Sequence, residues 1–248
     1  LSYSIDVYFN RMKPVNNIIN FFLYVSFFPQ LVAGPIERAN YLINQIKKEK
    51  IINTKIMDMG VSLILVGLFK KIVIADNLAY YVDDIFANYQ NYDGGVLILG
   101  LVYFSFQIYC DFSGYSDIAI GTARLFGIEL NLNFKFPYHS KNISEFWKRW
   151  HISLSTWFRD YVYIPLGGSK NSRLNTYRNL LIVFTLSGLW HGANLTFIFW
   201  GLYHVILYYI WIIMKLRFKF NSKIFDLMSI IYTYITVTIG WVFFRSET

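Results

Sequence analysis

A histidine interrupts an apolar stretch at Leu189-Trp190-His191-Gly192-Ala193-Asn194. Apolar runs flank it, residues 180–188 before and 195–214 after, and both are long enough to reach into a bilayer. An ionisable group at that depth costs about 3 kcal/mol or more and marks a pathway or a reaction centre. An imidazole is cheaper to bury than a lysine or a carboxylate, and it exchanges a proton near neutral pH. A histidine bonded to a neighbouring helix would show the same pattern. The residue alone leaves both readings open.

The other groups able to do chemistry fall in two stretches. Residues 144–161 have helical period: Trp147, Trp150, Leu154, Trp157 and Tyr161 share one face, while Lys148, Arg149 and Arg159 lie opposite. Ser144 is the predicted N-cap, and Pro165 with Gly167-Gly168 ends the segment. This pattern suits an interfacial helix. Its basic side either anchors to lipid headgroups or forms a floor for a phosphate-bearing cofactor, since Arg matches phosphate oxygens in bidentate fashion. His151, within the same stretch, is a second proton carrier or a structural surface histidine. Asp111 and Asp117 follow an apolar run, and carboxylates at that depth must pair; Arg124 is a candidate partner. They orient a substrate or a histidine, or they hold helices together. No metal-ligand spacing, phosphate loop or nucleophile elbow is present, so no metal and no resident cofactor are expected.

The elements that position these groups must form in lipid. Hydrophobic residues make up 55% of the chain and charged residues 15%, against about 25% charge in a soluble domain. Mean hydropathy is +0.37. Aromatics reach 20%, and Trp and Tyr favour bilayer interfaces. The net charge of +8 sits in loops between apolar runs, which fits the positive-inside bias and anionic lipid rather than nucleic acid. A single cysteine, Cys110, excludes an intrachain disulfide framework and is expected to be a packing residue.

The expected fold is all-α, a polytopic transmembrane bundle with short re-entrant and interfacial helices, in one domain over residues 1–248. Runs 17–33, 95–110, 195–214 and 228–244 cross or nearly cross, the second marginally. The proline-bearing stretch 29–35 could make the first re-entrant. Lys70-Lys71 divide residues 61–75 into two short predicted helices, one at the interface. Residues 179–189 are predicted to be short, roughly 16 Å if helical. Basic residues cluster between Lys135 and Arg178, and again at Lys215, Arg217, Lys219 and Lys223. If both clusters are cytoplasmic, residues 179–214 enter and return, with His191 at the turn. The chain opens without methionine or a charged leader and stops just after an apolar run, so it reads as part of something longer.

Taken in order, these stretches resemble the membrane-bound O-acyltransferase (MBOAT) family, in its bacterial branch of alginate O-acetylation proteins. The matching text runs from Leu1-Ser2-Tyr3-Ser4-Ile5-Asp6-Val7-Tyr8 through Phe27-Phe28-Pro29-Gln30-Leu31-Val32-Ala33-Gly34-Pro35-Ile36 and Gly67-Leu68-Phe69-Lys70-Lys71. It continues through residues 107–117, 145–154 and 163–168 to Ser187-Gly188-Leu189-Trp190-His191-Gly192 and Phe199-Trp200-Gly201-Leu202. The resemblance implies a multi-helix fold around a tunnel, with His191 as the principal catalytic residue and His151 as a second matching position. His139 is left structural, and His204, though at a common family position, is assigned no chemistry.

By resemblance, the expected activity is transfer of an acetyl group from cytoplasmic acetyl-CoA to a hydroxyl on an exported polysaccharide of alginate or peptidoglycan type. The expected place is the bacterial inner membrane, with membrane lipid, the polysaccharide acceptor and an extracytoplasmic acetyltransferase as partners. His191 acts as general base or as nucleophile. Lys148, Arg149 and Arg159 hold the coenzyme phosphates, Asp111 and Asp117 shape the polar part of the tunnel, and Trp190 and Asn194 border the substrate. An acyl-group conduit and a non-catalytic subunit of a glycan export complex are the alternatives.

Overall fold

The computed structural model describes residues 1–51, 53–170, 172–217 and 223–246. Every regular element among them is helical. The α-helices are α1 (Ser2–Tyr8), α2 (Ile18–Val25), α3 (Ala39–Lys47), α4 (Thr54–Leu68), α5 (Asp76–Ala87), α6 (Gly94–Leu125), α7 (Ile143–Trp147), α8 (Ile152–Phe158), α9 (Arg173–His191), α10 (Leu195–Arg217) and α11 (Lys223–Arg245). π-Helical stretches follow α4 at Phe69–Ala75 and α8 at Arg159–Tyr163. Among the described residues three helices are long and apolar enough to cross a membrane: α6, α10 over Leu195–Met214, and α11.

Several sequence expectations change. Residues 17–33 form no spanning helix: α2 stops after eight residues, with the Ser26 hydroxyl donating to the Phe22 carbonyl at 2.7 Å. A short 3-10 turn, Phe28–Gln30, follows, because Pro29 lacks an N–H and disfavours helix in the residue before it. The marginal run at 95–110 is the first half of a 32-residue helix, ~48 Å long at 1.5 Å per residue. Residues 61–75 remain helical through Lys70-Lys71, α4 passing directly into the π-helical stretch, and both lysines have carboxylate partners. Residues 179–189 belong to the 19-residue α9, whose polar first turns are started by the Ser172 hydroxyl accepting from the Asn175 N–H at 3.1 Å. Lys219 lies outside the described residues.

The chain divides into two compact units, Leu1–Asp76 with Tyr109–Asn133, and Asn77–Ile108 with Phe134–Thr248. In the first, α4 and the second half of α6 run antiparallel along paired glycines. A Cβ on Gly60 would lie 2.9 Å from the Gly121 carbonyl oxygen, and one on Gly67 would lie 2.5 Å from that of Gly114. Seven residues separate the glycines on each helix, so each forms one stripe. Such close backbone approach is how helices pack in lipid, where hydrophobic burial gives no drive. Gly67→Val is expected to part them and to cost about 1–3 kcal/mol, read as a lower melting temperature in detergent. An unchanged transition would refute the contact.

Beyond α6, Gly127 adopts a left-handed conformation (φ 66°), and the Ile128 N–H returns to the Ala123 carbonyl at 3.0 Å. Glycine suits this helix stop because it has no Cβ to clash. The following strap is held by Glu37, only 3% exposed, whose carboxylate accepts from the backbone and side-chain amides of Asn131 at 2.6 and 2.7 Å. Burial raises the Glu37 pKa against those hydrogen bonds. A carboxyl raised on folding stabilises the fold below its unfolded pKa, and that stability is lost as pH rises through the folded value. The melting temperature in detergent is therefore expected to fall as pH climbs above about 4.5. Glu37→Gln should abolish that slope, and an unaltered slope would assign it elsewhere.

In the second unit α9 and α10 form an antiparallel hairpin, with Gly188 against the Phe197 carbonyl and Gly201 against that of Phe184. The Tyr203 hydroxyl ties α10 to α11 through the Thr236 carbonyl at 2.8 Å, and the Ser144 and Tyr208 hydroxyls join α7 to α10 at 2.9 Å. Trp200, Trp241 and Phe146 are completely buried between these helices.

Candidate functional site

The stretch 144–161 is not one helix. Asn142, rather than Ser144, is the N-cap of α7, its side-chain oxygen accepting from the Glu145 N–H at 2.9 Å. The helix ends after Trp147, and the Lys135 N–H fixes the connection by donating to the Arg149 carbonyl at 2.9 Å. The chain then turns through His151, whose φ of 43° and ψ of 53° are left-handed. A histidine there costs about 1–2 kcal/mol in backbone energy. Strain held at a buried polar residue is a mark of functional sites. His151 is 8% exposed. Its pKa is depressed, first by burial and then by the charge that His191 would carry.

His191 is the last residue of α9, at the mouth of the hairpin, as the enter-and-return pattern predicts. Trp200 stands edge-on to it at 5.3 Å and 88°, Phe244 at 5.0 Å and 74°, and Phe197 at 6.2 Å. Gly192 is closed in by the Phe197 ring, 2.7 Å from where a Cβ would sit. The His191 imidazole makes no hydrogen bond among the described residues, so aromatic walls fix the ring while its nitrogens stay available. That arrangement suits proton transfer or nucleophilic attack.

Two of the three basic residues have carboxylate partners. Arg149 pairs with Glu145 at 2.5 Å and Arg159 with Asp160 at 2.7 Å, while Lys148 is exposed. Trp190 is 56% exposed and lies beside Trp157, ring centroids 6.2 Å apart. Asn194 accepts from the Thr196 N–H at 3.2 Å at the start of α10. Asp111 and Asp117 belong to the other compact unit, and their partners are lysines rather than Arg124. Lys71 bridges Asp111 at 2.5 Å and Asp76 at 2.9 Å, and Lys70 meets Asp117 at 2.6 Å.

A family model, described as the membrane-bound O-acyltransferase family, matches residues 7–244. The chain belongs to that family. Within it the chain is 44% identical over its whole length to the probable alginate O-acetylase AlgI of Pseudomonas putida, covering 50% of that protein. It is 40% identical over 94% of its length to the peptidoglycan O-acetyltransferase of Helicobacter pylori, covering 45% of it. To the teichoic acid D-alanyltransferase of Bacillus subtilis it is 32% identical over 82% of its length, covering 53%. The chain thus spans about half the length of these curated relatives and lies in the alginate O-acetylase-like branch of the MBOAT family.

Two groups in this MBOAT chain escaped the sequence reading. Asn179, completely buried on α9, donates to the Leu166 and Gly168 carbonyls at 3.2 and 3.0 Å and so holds the Tyr163-Ile164-Pro165-Leu166-Gly167-Gly168 loop. A lone amide at the head of an apolar run was the available signal. Trp200 and Phe244 wall His191, and only the folding of α10 and α11 beside α9 brings them there.

Proposed function

We propose that this chain forms the catalytic part of a bacterial inner-membrane O-acyltransferase that moves an acetyl group from acetyl-CoA toward a hydroxyl of an exported polysaccharide. The observation that carries the reading is His191 at the end of α9, walled by the Trp200 and Phe244 rings, with His151 buried in a strained backbone. The relatives support the reaction class: a probable O-acetylase of alginate, an O-acetyltransferase of peptidoglycan and a D-alanyltransferase of teichoic acid.

In this reaction His191 takes the proton of the acceptor hydroxyl as its oxygen attacks the acetyl carbonyl. The carbon–sulfur bond then breaks, and the imidazolium returns the proton to the departing thiolate, so charge and atoms balance. His151, the second imidazole of the proposed site, assists this proton transfer. Because Arg149 and Arg159 already have carboxylate neighbours, coenzyme phosphates would have to compete for them, and exposed Lys148 is the readier contact.

The test is single-turnover transfer from radiolabelled acetyl-CoA by the full-length protein in proteoliposomes, with alginate and peptidoglycan fragments and membrane extract supplied. Thioester consumption with label reaching the glycan supports the reading. Intact, inserted protein that consumes no thioester under any of these conditions overturns it.

A further inference from the structure

His204 is an oddity of the second unit. It lies on α10 one turn beyond Trp200 and is 0% exposed, and neither of its ring nitrogens has a hydrogen-bond partner among the described residues. A neutral imidazole carries one N–H donor and one acceptor nitrogen. Burying both without conventional partners is costly, and a phenylalanine or leucine would fill the position without that cost.

The surrounding rings show what the imidazole does. Trp147 stands edge-to-face with His204 at 5.0 Å and 85°, and Trp200 does so at 5.0 Å and 73°. An electropositive ring edge facing an electron-rich indole is the favourable aromatic geometry, and an N–H edge is more positive than a C–H edge. On the side of α11, Gly240 leaves room for the imidazole: a Cβ there would lie 3.0 Å from His204 Nε2. Trp200 in turn stands edge-to-face with His191 at 5.3 Å, and it is boxed in by Trp147 at 5.6 Å and Trp241 at 6.1 Å. His191, Trp200 and His204 thus form a row of three rings, with the indole between two imidazoles.

Resting on the acyl-transfer reading above, we infer that His204 is a positioning residue for His191. Its polar edge fixes the Trp200 indole, and the indole fixes the angle at which the His191 ring meets the acceptor hydroxyl. His204 itself touches no substrate.

The experiment compares His204→Leu, which keeps an apolar filling, with His204→Gln, which restores an N–H, in the full-length protein. Gly240→Ala disturbs the same imidazole from α11 without altering it chemically. The expected result is a kcat about 10- to 100-fold lower in His204→Leu and Gly240→Ala, the loss a small misplacement of a reacting group produces. KM for the thioester should stay within about twofold, and His204→Gln should recover most of kcat. A second readout needs no turnover: the rate at which diethyl pyrocarbonate modifies His191, followed by mass spectrometry, should change in His204→Leu and return in His204→Gln. If Leu and Gln behave alike in both readouts, or Leu keeps the wild-type values, the inference is overturned. If transfer proves independent of His191 while its modification rate still follows residue 204, the function fails and the positioning stands.

Discussion

Replacing His191 by alanine is expected to lower acyl transfer by about 10²–10⁴-fold, the range that a positioned general base contributes. The expectation rests on how completely the surroundings specify this one ring. Phe244, Trp200 and Phe197 pack against it, and none of these rings is a base, so no side chain in that wall can take over its proton. The variant removes an imidazole that is only partly buried, at the end of α9, so the hairpin should persist. Single-turnover label transfer, alongside a melting curve in detergent, separates lost chemistry from lost fold. A covalent route gives the same loss but adds a trappable acetyl-imidazole on His191 when acceptor is withheld. Full activity in a folded alanine variant would remove His191 from the mechanism.

Gly188→Ala is expected to be nearly as damaging, although the residue does no chemistry. Its new methyl would run into the Phe197 carbonyl, a backbone atom that cannot swing aside. Helices α9 and α10 would have to separate, and His191, three residues further along α9, would move off the Trp200 and Phe244 walls. An ångström of displacement is enough for about a 10²-fold loss of rate, and the strained hairpin should be about 1–3 kcal/mol less stable. The control is Leu189→Ala, a neighbouring side chain that is 44% exposed and whose removal should change stability by no more than about 0.5 kcal/mol. Equal activity in all three proteins would mean that the site tolerates movement of the hairpin.

These two residues also show how the sequence and the fold divide the information. His191 was legible because a titratable residue inside an apolar run is conspicuous, and the enter-and-return pattern of basic loops placed it at a turn before any coordinates. Gly188 was visible only as part of a motif; its role depends on which carbonyl faces it across the hairpin. The stretch 144–161 misled because its aromatic spacing satisfies one long helix. A helical period reports which residues share a face if the helix is unbroken, and it carries no signal for a left-handed residue at His151. The carboxylates misled in another way. Arg124 lies close in sequence, whereas Lys70 and Lys71 reach Asp117 and Asp111 from the stretch after α4, because the glycine stripes bring the two backbones together.

What the sequence determined by itself is the solvent, the helical class and the family, and it singled out the two histidines proposed for the site. Each of these follows from local composition or from the order of short motifs, which need no contact between distant segments. What only the tertiary structure decided is the company each group keeps: His191 with Trp200 and Phe244, His151 buried at a left-handed turn, the arginines beside their own carboxylates, and His204 behind the indole. Those pairings depend on register and distance between helices, set in lipid by where glycine lets backbones meet and where aromatic rings fill the space between them.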